Sequence, residues 1–253
     1  MGLAAMKLGM TSLTFRNEEI QAVFEYARRA NIEGIEWGVC DKHIRLGDKE
    51  RISLVKELSK KNNIEIFSLG SYCDMTDFEE CDKTLETARM LNAPIIRLWA
   101  GKKGTCDCDK EYYNKIIENS KKMAVKAEKL SVMLCFEYHH NTLTDGADAA
   151  IKLVKEINRY NVGLYWQPQW RLSYEENIAE VKKVIPYVTK NIHLSNYSAE
   201  NGYGLLCDIE NELRGYFAEI KGSDYNLFIE FVKDASVDSL ISDALTIRKI
   251  IGK

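Results

Sequence analysis

The sequence lacks several features that define particular protein classes. It has three prolines and four histidines in 253 residues, and no stretch rich in proline, glycine and serine divides the chain. We therefore expect one domain over residues 1–253 instead of two domains joined by a linker. The formal net charge is only −3, so the basic excess typical of nucleic-acid-binding proteins is missing, and we expect no nucleic-acid partner.

Long apolar segments are missing as well. No run of 18 apolar residues occurs, and the N-terminal segment MGLAAMKLGM has neither the basic start nor the long apolar core of a signal peptide. We therefore expect a cytoplasmic protein with no membrane partner. The seven cysteines are an odd number spread over predicted strands and helices, so we expect reduced thiols that mostly lie in the core.

The sequence does contain a repeating pattern with a period of roughly thirty residues, in which a short apolar segment precedes a longer amphipathic one. The short segments predict eight strands, which are MKLGMTSL from Met6, GIEWG from Gly34, IEIFSLG from Ile64, PIIRLWAG from Pro94, VMLCFEY from Val132, VGLYWQ from Val162, TKNIHLS from Thr189 and NLFIEFV from Asn226. The longer segments have the spacing of amphipathic helices. Two helix starts are marked by the Ser/Thr-x-x-Glu capping pattern, at Thr76 with Glu79 and at Ser173 with Glu176.

Eight strand–helix units in about 250 residues predict an α/β protein with a single closed (β/α)8 barrel, the TIM barrel, because alternating strands and helices form parallel sheets. The alternative is an open doubly wound sheet. Such a sheet usually has a glycine-rich phosphate-binding turn after its first strand, and the corresponding segment here, SLTFRNEE, contains no glycine. The pattern therefore favours the barrel.

Four polar residues lie at or near the ends of consecutive predicted strands, namely Glu137, Gln167, His193 and Glu230. In a TIM barrel the carboxyl ends of the strands form the face that carries active sites. Side-chain alternation places Glu137 and Glu230 on the inner side of their strands. Two carboxylates, an imidazole and an amide oxygen directed at one point predict a metal site, or the remnant of one.

The segments FEYHHNTLTD, NIHLSNY and FIEFVKD resemble parts of the xylose-isomerase-like superfamily of sugar isomerases and epimerases, and the resemblance covers nearly the whole chain. It implies that Glu137, His193 and Glu230 hold a divalent metal ion such as Mn, Mg, Co or Zn. Gln167, as the fourth metal ligand, stands where the superfamily usually has an aspartate. Trp170 stands where many members have a histidine.

The uncharged amide of Gln167 predicts weakened metal binding. Two carboxylates and a neutral imidazole balance a divalent ion, and an amide oxygen can complete its shell as amide carbonyls do in calcium sites. The alternative is that Gln167 bonds a sugar hydroxyl or the backbone and that no metal is held.

Five further residues are predicted to bind the substrate, namely Glu36, Trp37, Trp99, His139 and Trp170. Glu36 and Trp37 resemble the superfamily's substrate wall, although a glutamate before a loop is often only solvated. His139 falls on the pocket side by alternation, and the alternative is a loop histidine with local hydrogen bonds. Trp99 and Trp170 are predicted to stack on a sugar face, where the alternative is packing at the barrel rim.

Other polar residues are expected to have no role in the site. We expect His43 in a surface loop. Cys106 and Cys108 are expected in a mobile loop without a metal, because a Cys-x-Cys pair lacks partner ligands. Lys102 and Lys103 are expected in a solvated turn.

The resemblance implies an isomerase or epimerase acting on a ketose or sugar phosphate, a small-molecule carbohydrate. A divalent ion would bind the carbonyl and neighbouring hydroxyl of an open-chain ketose, while Glu137 and Glu230 transfer a proton through an enediolate. Two alternatives stay open, a dehydratase (lyase) acting on a keto-sugar or inosose, and a sugar-binding member with a degraded metal site and no catalysis. The related apurinic endonucleases use a multi-histidine zinc cluster, for which four histidines are too few. The oligomeric state is open, and a homo-oligomer is one option.

Overall fold

Parallel pairing closes the predicted strand segments into a barrel. The structure is a computed structural model that describes residues 6–220 and 224–253. The barrel strands are β1 (Lys7–Thr11), β2 (Gly34–Gly38), β3 (Glu65–Gly70), β4 (Ile95–Leu98), β5 (Met133–Phe136), β6 (Val162–Trp166), β7 (Val188–Leu194) and β10 (Asn226–Ile229). Each strand pairs with the next in this order, and β1 pairs with β10 to complete the ring. The predicted α/β class and TIM barrel are confirmed.

A short hairpin lies between β7 and β10, outside the barrel. Its strands are β8 (Tyr197–Ser198) and β9 (Gly202–Tyr203), and they pair antiparallel with Tyr197 opposite Tyr203. The thirty-residue pattern did not predict this hairpin, because strands of two residues are too short to show a period.

Eight helices of the described residues surround the barrel. They are α1 (Ile20–Arg29), α2 (Lys49–Asn62), α3 (Phe78–Leu91), α4 (Lys110–Glu128), α5 (Ala147–Ile157), α6 (Tyr174–Val184), α7 (Glu210–Glu219) and α8 (Val237–Ile251). On α8, Leu240, Ala244 and Ile247 are buried, whereas Leu245 on the opposite face is 63% exposed. Within the described ranges, no helix combines the length and apolar content that crossing a membrane requires.

One of the two predicted capping patterns is correct. The backbone N–H of Glu176 donates to Ser173 Oγ at 3.2 Å, and the Glu176 carboxylate accepts from Ser173 N at 2.8 Å. The prediction at Thr76 is wrong, because α3 begins after Asp77, whose carboxylate accepts from the N–H of Glu79 at 2.9 Å. A carboxylate is a strong acceptor for the free amides of a first turn, and it also interacts favourably with the helix dipole.

Two aromatic rings fill the barrel below its C-terminal face. The rings of Phe67 and Phe228 meet edge to face at 5.7 Å. Glycines provide this space, since a Cβ at Gly34 would lie 2.3 Å from Phe67 and a Cβ at Gly9 would lie 2.9 Å from Phe228. The ring of Phe228 also contacts that of His193, with 5.6 Å between centroids. These rings therefore form the floor on which the site is built.

The cysteines are less buried than the sequence suggested. All seven are free, and three of them, Cys73, Cys81 and Cys135, are buried. Cys106 and Cys207 are exposed. The expectation that most cysteines lie in the core is therefore wrong.

Candidate functional site

The ends of three barrel strands bring two carboxylates and an imidazole together. Glu137 follows β5, His193 lies in β7 and Glu230 follows β10. One potential ligand atom of each lies within 4.8 Å of the others, and all three side chains are buried. Nδ1 of His193 is 3.3 Å from a Glu230 oxygen and 4.0 Å from a Glu137 oxygen. The predicted convergence of these residues is confirmed, and their role as metal ligands stays a prediction.

His193 is buried between acidic groups. Its ring nitrogens lie 3.3 Å from Glu230 and 3.4 Å from Glu36, in geometry that forms no proper hydrogen bond. Burial alone would lower the pKa of His193, but the carboxylates of Glu230 and Glu36 outweigh it and raise the pKa to about 10. The imidazole is therefore a cation in this arrangement. Metal binding at its nitrogen requires the neutral ring and would displace this proton.

A buried arginine that the sequence did not suggest joins this cluster. Arg97, in β4, is 2% exposed. Its Nε lies 3.0 Å from Glu36 Oε1, and its Nη1 donates to Glu137 Oε2. Trp99 Nε1 donates to the same Glu137 oxygen at 2.6 Å. The sequence did contain a signal for it, which is the arginine inside the apolar segment PIIRLWAG. Arginine is almost never fully buried without partners, so an arginine in a buried strand indicates such partners nearby.

The charges of the cluster suit a divalent cation. Three carboxylates, one guanidinium and the protonated imidazole sum to −1, and the sum becomes −2 once a metal ion displaces the imidazole proton. Burial alone would raise the pKa of Glu36, yet the charges of Arg97 and His193 outweigh it and lower that pKa to about 2. Buried carboxylates that stay ionised require a compensating cation. Together with the unsatisfied imidazole nitrogens, this donor set fits a divalent metal ion.

Gln167 lines the cavity that Glu137 and Glu230 also line. Its Nε2 donates to the backbone oxygen of Tyr138 at 2.8 Å, and Gln169 Nε2 donates to the same oxygen at 2.9 Å. An amide nitrogen has no lone pair available for a metal ion, so Oε1 is the atom with which Gln167 could bind one. Its role as the fourth metal ligand stays a prediction.

A cavity of about 650 Å³ opens above the cluster. Three of the residues predicted to bind substrate line it, namely Trp99, His139 and Trp170. The His139 ring stacks on Trp99 with 4.7 Å between centroids. Further aromatic side chains line the walls, namely Tyr72, Tyr197, Tyr203, Tyr216 and Phe231. Polar side chains such as Asn177, Asn196 and Glu212 also line it, so the cavity combines aromatic surface with hydrogen-bonding groups, as a site for a polar small molecule requires.

The two predicted contacts on β2 need correction. Trp37 is fully buried, and its ring packs against Phe24 at 5.1 Å and His43 at 5.8 Å, so it lies outside the cavity. Glu36 is fully buried below the cavity and accepts a hydrogen bond from Ser68 Oγ at 2.9 Å. Neighbouring residues of a strand point to opposite sides, so both could not face one pocket.

The residues expected outside the site also differ from the prediction in part. His43 is buried, with Nε2 3.2 Å from the backbone oxygen of Glu18, so its assignment to a surface loop is wrong. Lys102 is exposed, as expected for a solvated turn, and it also pairs with Asp74 at 2.8 Å. Among the described residues, Cys106 belongs to no group of side chains that could hold a metal ion.

Comparison with known proteins identifies relatives of the whole fold. Residues 24–241 match the family model described as "Xylose isomerase-like TIM barrel". A curated 3-dehydroshikimate dehydratase of Bacillus anthracis is 23% identical over 206 residues, which cover 77% of this chain and 73% of that protein.

Solved structures agree with this family match. The IOLI protein with a bound zinc atom superposes with a TM-score of 0.77 at 16% identity, covering 98% of both chains. D-psicose 3-epimerase from Clostridium cellulolyticum H10, solved with D-tagatose, superposes with a TM-score of 0.72 at 14% identity, covering 97% of this chain and 99% of that one. At such identities the likeness shows a shared fold, and zinc and D-tagatose are ligands of those two proteins.

Proposed function

Because this chain belongs to the xylose isomerase-like TIM barrel family, we propose that it is a sugar isomerase or epimerase that moves a proton through an enediolate. The observation that carries the proposal is that Glu137 and Glu230 both approach Nδ1 of His193 in a buried cluster that opens into an aromatic cavity. Two carboxyl groups near one carbon can remove a proton and return one. We propose that residues 1–253 act as one domain on a small carbohydrate and bind no nucleic acid.

We further propose that the cluster holds a divalent metal ion. Its ligands would be Glu137, His193 and Glu230, with the amide oxygen of Gln167 as the fourth. When bound, such an ion supplies a Lewis acid beside the carbonyl and hydroxyl oxygens of the sugar.

The proton transfer itself would be carried out by side chains. Arg97 and Trp99 hold Oε2 of Glu137, so Oε1 is the atom free to accept a proton. Burial alone would raise the pKa of Glu230, but the neighbouring His193 outweighs it and lowers that pKa, so Glu230 is ionised at neutral pH. If one carboxylate removes the proton and the other takes a proton from solvent and delivers it to the opposite face, the carbon is inverted. If one carboxylate does both, the carbonyl moves along the chain instead.

A dehydratase is the second candidate, because the curated relative is named 3-dehydroshikimate dehydratase. The first step would be the same removal of a C–H proton by a carboxylate. A hydroxyl on the adjacent carbon would then take that proton back from the newly formed carboxylic acid and leave as water, and a carbon–carbon double bond would form. A sugar-binding protein without turnover is the third candidate, and the uncharged Gln167 is the residue that favours it.

Solvent-deuterium exchange tests these candidates together. The purified protein is first assayed for bound metal, then incubated with Mn²⁺ or Mg²⁺ in D₂O with a panel of ketoses and followed by NMR. We expect deuterium at a carbon next to the carbonyl, with or without net conversion. An alkene product would favour the dehydratase. No exchange and no elimination with any sugar, although sugars bind, would leave the non-catalytic candidate.

A further inference from the structure

Four aromatic side chains form a continuous row along the rim of the cavity. We call this row, which consists of Trp170, Tyr197, Tyr203 and Phe231, the aromatic rail. Its ring centroids are 5.6 Å apart from Trp170 to Tyr197, 4.9 Å from Tyr197 to Tyr203, and 5.3 Å from Tyr203 to Phe231. All four residues line the same cavity as the acidic cluster.

The rail concentrates aromatic surface that most proteins bury. Trp170 is 46% exposed, and Tyr197 and Tyr203 are each 37% exposed. Among the described residues, the other exposed aromatic side chains are Tyr72, which lines the same cavity, and Tyr160, which lies elsewhere. Exposed apolar area gathered at one place, and continuous with a pocket, marks a binding surface.

The backbone around the rail is built to hold it. The β8–β9 hairpin places Tyr197 opposite Tyr203. Phe231 has a φ of +54°, which a bulky side chain rarely adopts, and its N–H is held by a hydrogen bond to Thr14 Oγ1 at 3.0 Å. For a bulky residue such backbone strain is one of the features that occur at ligand-binding sites.

We propose that the aromatic rail is a second sugar subsite, which binds a glycosyl ring attached to the sugar that reacts at Glu137 and Glu230. This inference rests on the proposed function and extends it, because the substrate is then a glycosylated ketose instead of a free monosaccharide. One face of a pyranose ring presents mainly C–H groups, which pack on aromatic rings, while tyrosine hydroxyls can meet its hydroxyl edge. The rail and the cluster share one cavity of about 650 Å³, so a single ligand can touch both.

The surroundings of the rail favour an uncharged ring. Among the described residues that line the cavity, Arg97 is the only arginine, and its guanidinium is already paired with two carboxylates. Arg16 lies 5.4 Å from the Phe231 ring centroid and Arg171 lies 5.8 Å from that of Trp170, so both stack at the outer ends of the rail. The two tyrosines at its centre remain open to a ligand.

Ligand-observed NMR with isomaltulose and maltulose tests the subsite without requiring catalysis. In these disaccharides glucose is attached to O6 or O4 of fructose. Saturation transferred from the protein should reach the glucose protons of at least one of them, and this transfer should be lost in Trp170→Ala and Tyr203→Ala. Tyr160→Ala removes an exposed tyrosine outside the cavity and should behave like the parent protein.

The exchange assay gives a second readout. For the parent protein, kcat/KM should be higher for the accepted disaccharide than for D-fructose. Each rail variant should lower that ratio roughly three- to tenfold, mainly through KM, because an aromatic contact contributes a factor of about this size.

The outcomes separate the subsite from the proposed function. Rail-dependent contact with glucose but no exchange would support the subsite and overturn the function. Exchange of D-fructose without rail-dependent contact would overturn the subsite and support the function. If light scattering shows that the parent protein is a dimer and that Trp170→Ala dissociates it, the rail is a subunit interface and the subsite proposal is overturned. If the protein prefers a phosphorylated sugar over the disaccharides, and this preference depends on the rail, then Arg16 and Arg171 bind the ligand and the subsite proposal is also overturned.

Discussion

Arg97 and Glu137 form an ion pair inside the barrel, in which Nη1 of the arginine donates to Oε2 of the glutamate and neither side chain is more than 4% exposed. The same guanidinium lies 3.0 Å from Glu36. One permanent cation therefore compensates two buried carboxylates, and it holds Glu137 in place beside His193.

Arg97→Met should strongly destabilise the protein. It leaves Glu36 and Glu137 without their cation, and removing one partner of a buried ion pair costs about 3–5 kcal/mol of unfolding free energy. Urea unfolding followed by circular dichroism measures this loss. Adding Glu36→Gln removes one of the stranded charges, so the double variant should lose less than the single one. A loss below about 1 kcal/mol for Arg97→Met would mean that the pair carries little of the stability.

Glu137→Gln and Glu230→Gln should each abolish proton exchange on any accepted sugar. Each change removes a proposed base and a proposed metal ligand, and general acid–base catalysis contributes about 10²–10⁴-fold. Deuterium incorporation measures the effect. Glu180→Gln is the control, because it alters a partly buried carboxylate that bonds Ala147 N at 3.4 Å, outside the cavity. Exchange within about tenfold of the parent in both variants would remove the two residues from the mechanism.

Gln167→Asp should strengthen metal binding. A third carboxylate beside Glu137 and Glu230 raises the affinity for Mn²⁺ or Mg²⁺ by about an order of magnitude or more, since ligand charge sets affinity at such sites. Without metal, the added charge repels the other two and should lower the melting temperature. Calorimetric titration and melting with and without metal measure both effects. Unchanged affinity and unchanged melting would show that Gln167 does not face the metal ligands.

His43 should make stability depend on pH. Burial, assisted by Arg51 and opposed by Glu19, lowers the pKa of His43 to about 4. The folded protein then binds fewer protons here than the unfolded chain, whose histidine titrates near pH 6.5. The stabilisation is therefore fully present above pH 6.5 and lost as pH falls towards 4, by about 3 kcal/mol.

Unfolding of the parent and of His43→Gln between pH 4 and pH 7 isolates this contribution. The difference between the two free energies should change over that range. A constant difference would mean that His43 is not held in its neutral form by the fold.

The sequence by itself determined the barrel and the meeting of its polar strand ends. The barrel follows from local periodicities, which repeat along the chain and need no knowledge of distant contacts. Once parallel strands close into a ring, side-chain alternation brings Glu137, His193 and Glu230 to one end of it. The prediction that Glu36 and Trp37 both contact the substrate overlooked the same alternation, which places neighbouring residues of β2 on opposite sides.

Only the tertiary structure decided which groups neutralise the acidic cluster and where the aromatic side chains gather. Arg97 reaches Glu36 and Glu137 across 61 and 40 positions of sequence, and no local pattern specifies such a pairing. The burial of His43 against Trp37 likewise depends on how the loop after β2 packs. The aromatic rail joins residues of three separate loops, which become neighbours because the barrel gathers them at the same rim. Contacts between side chains from distant strands form only when the barrel closes, so they depend on the packing of the whole chain. The periods of strands and helices depend on the local sequence alone.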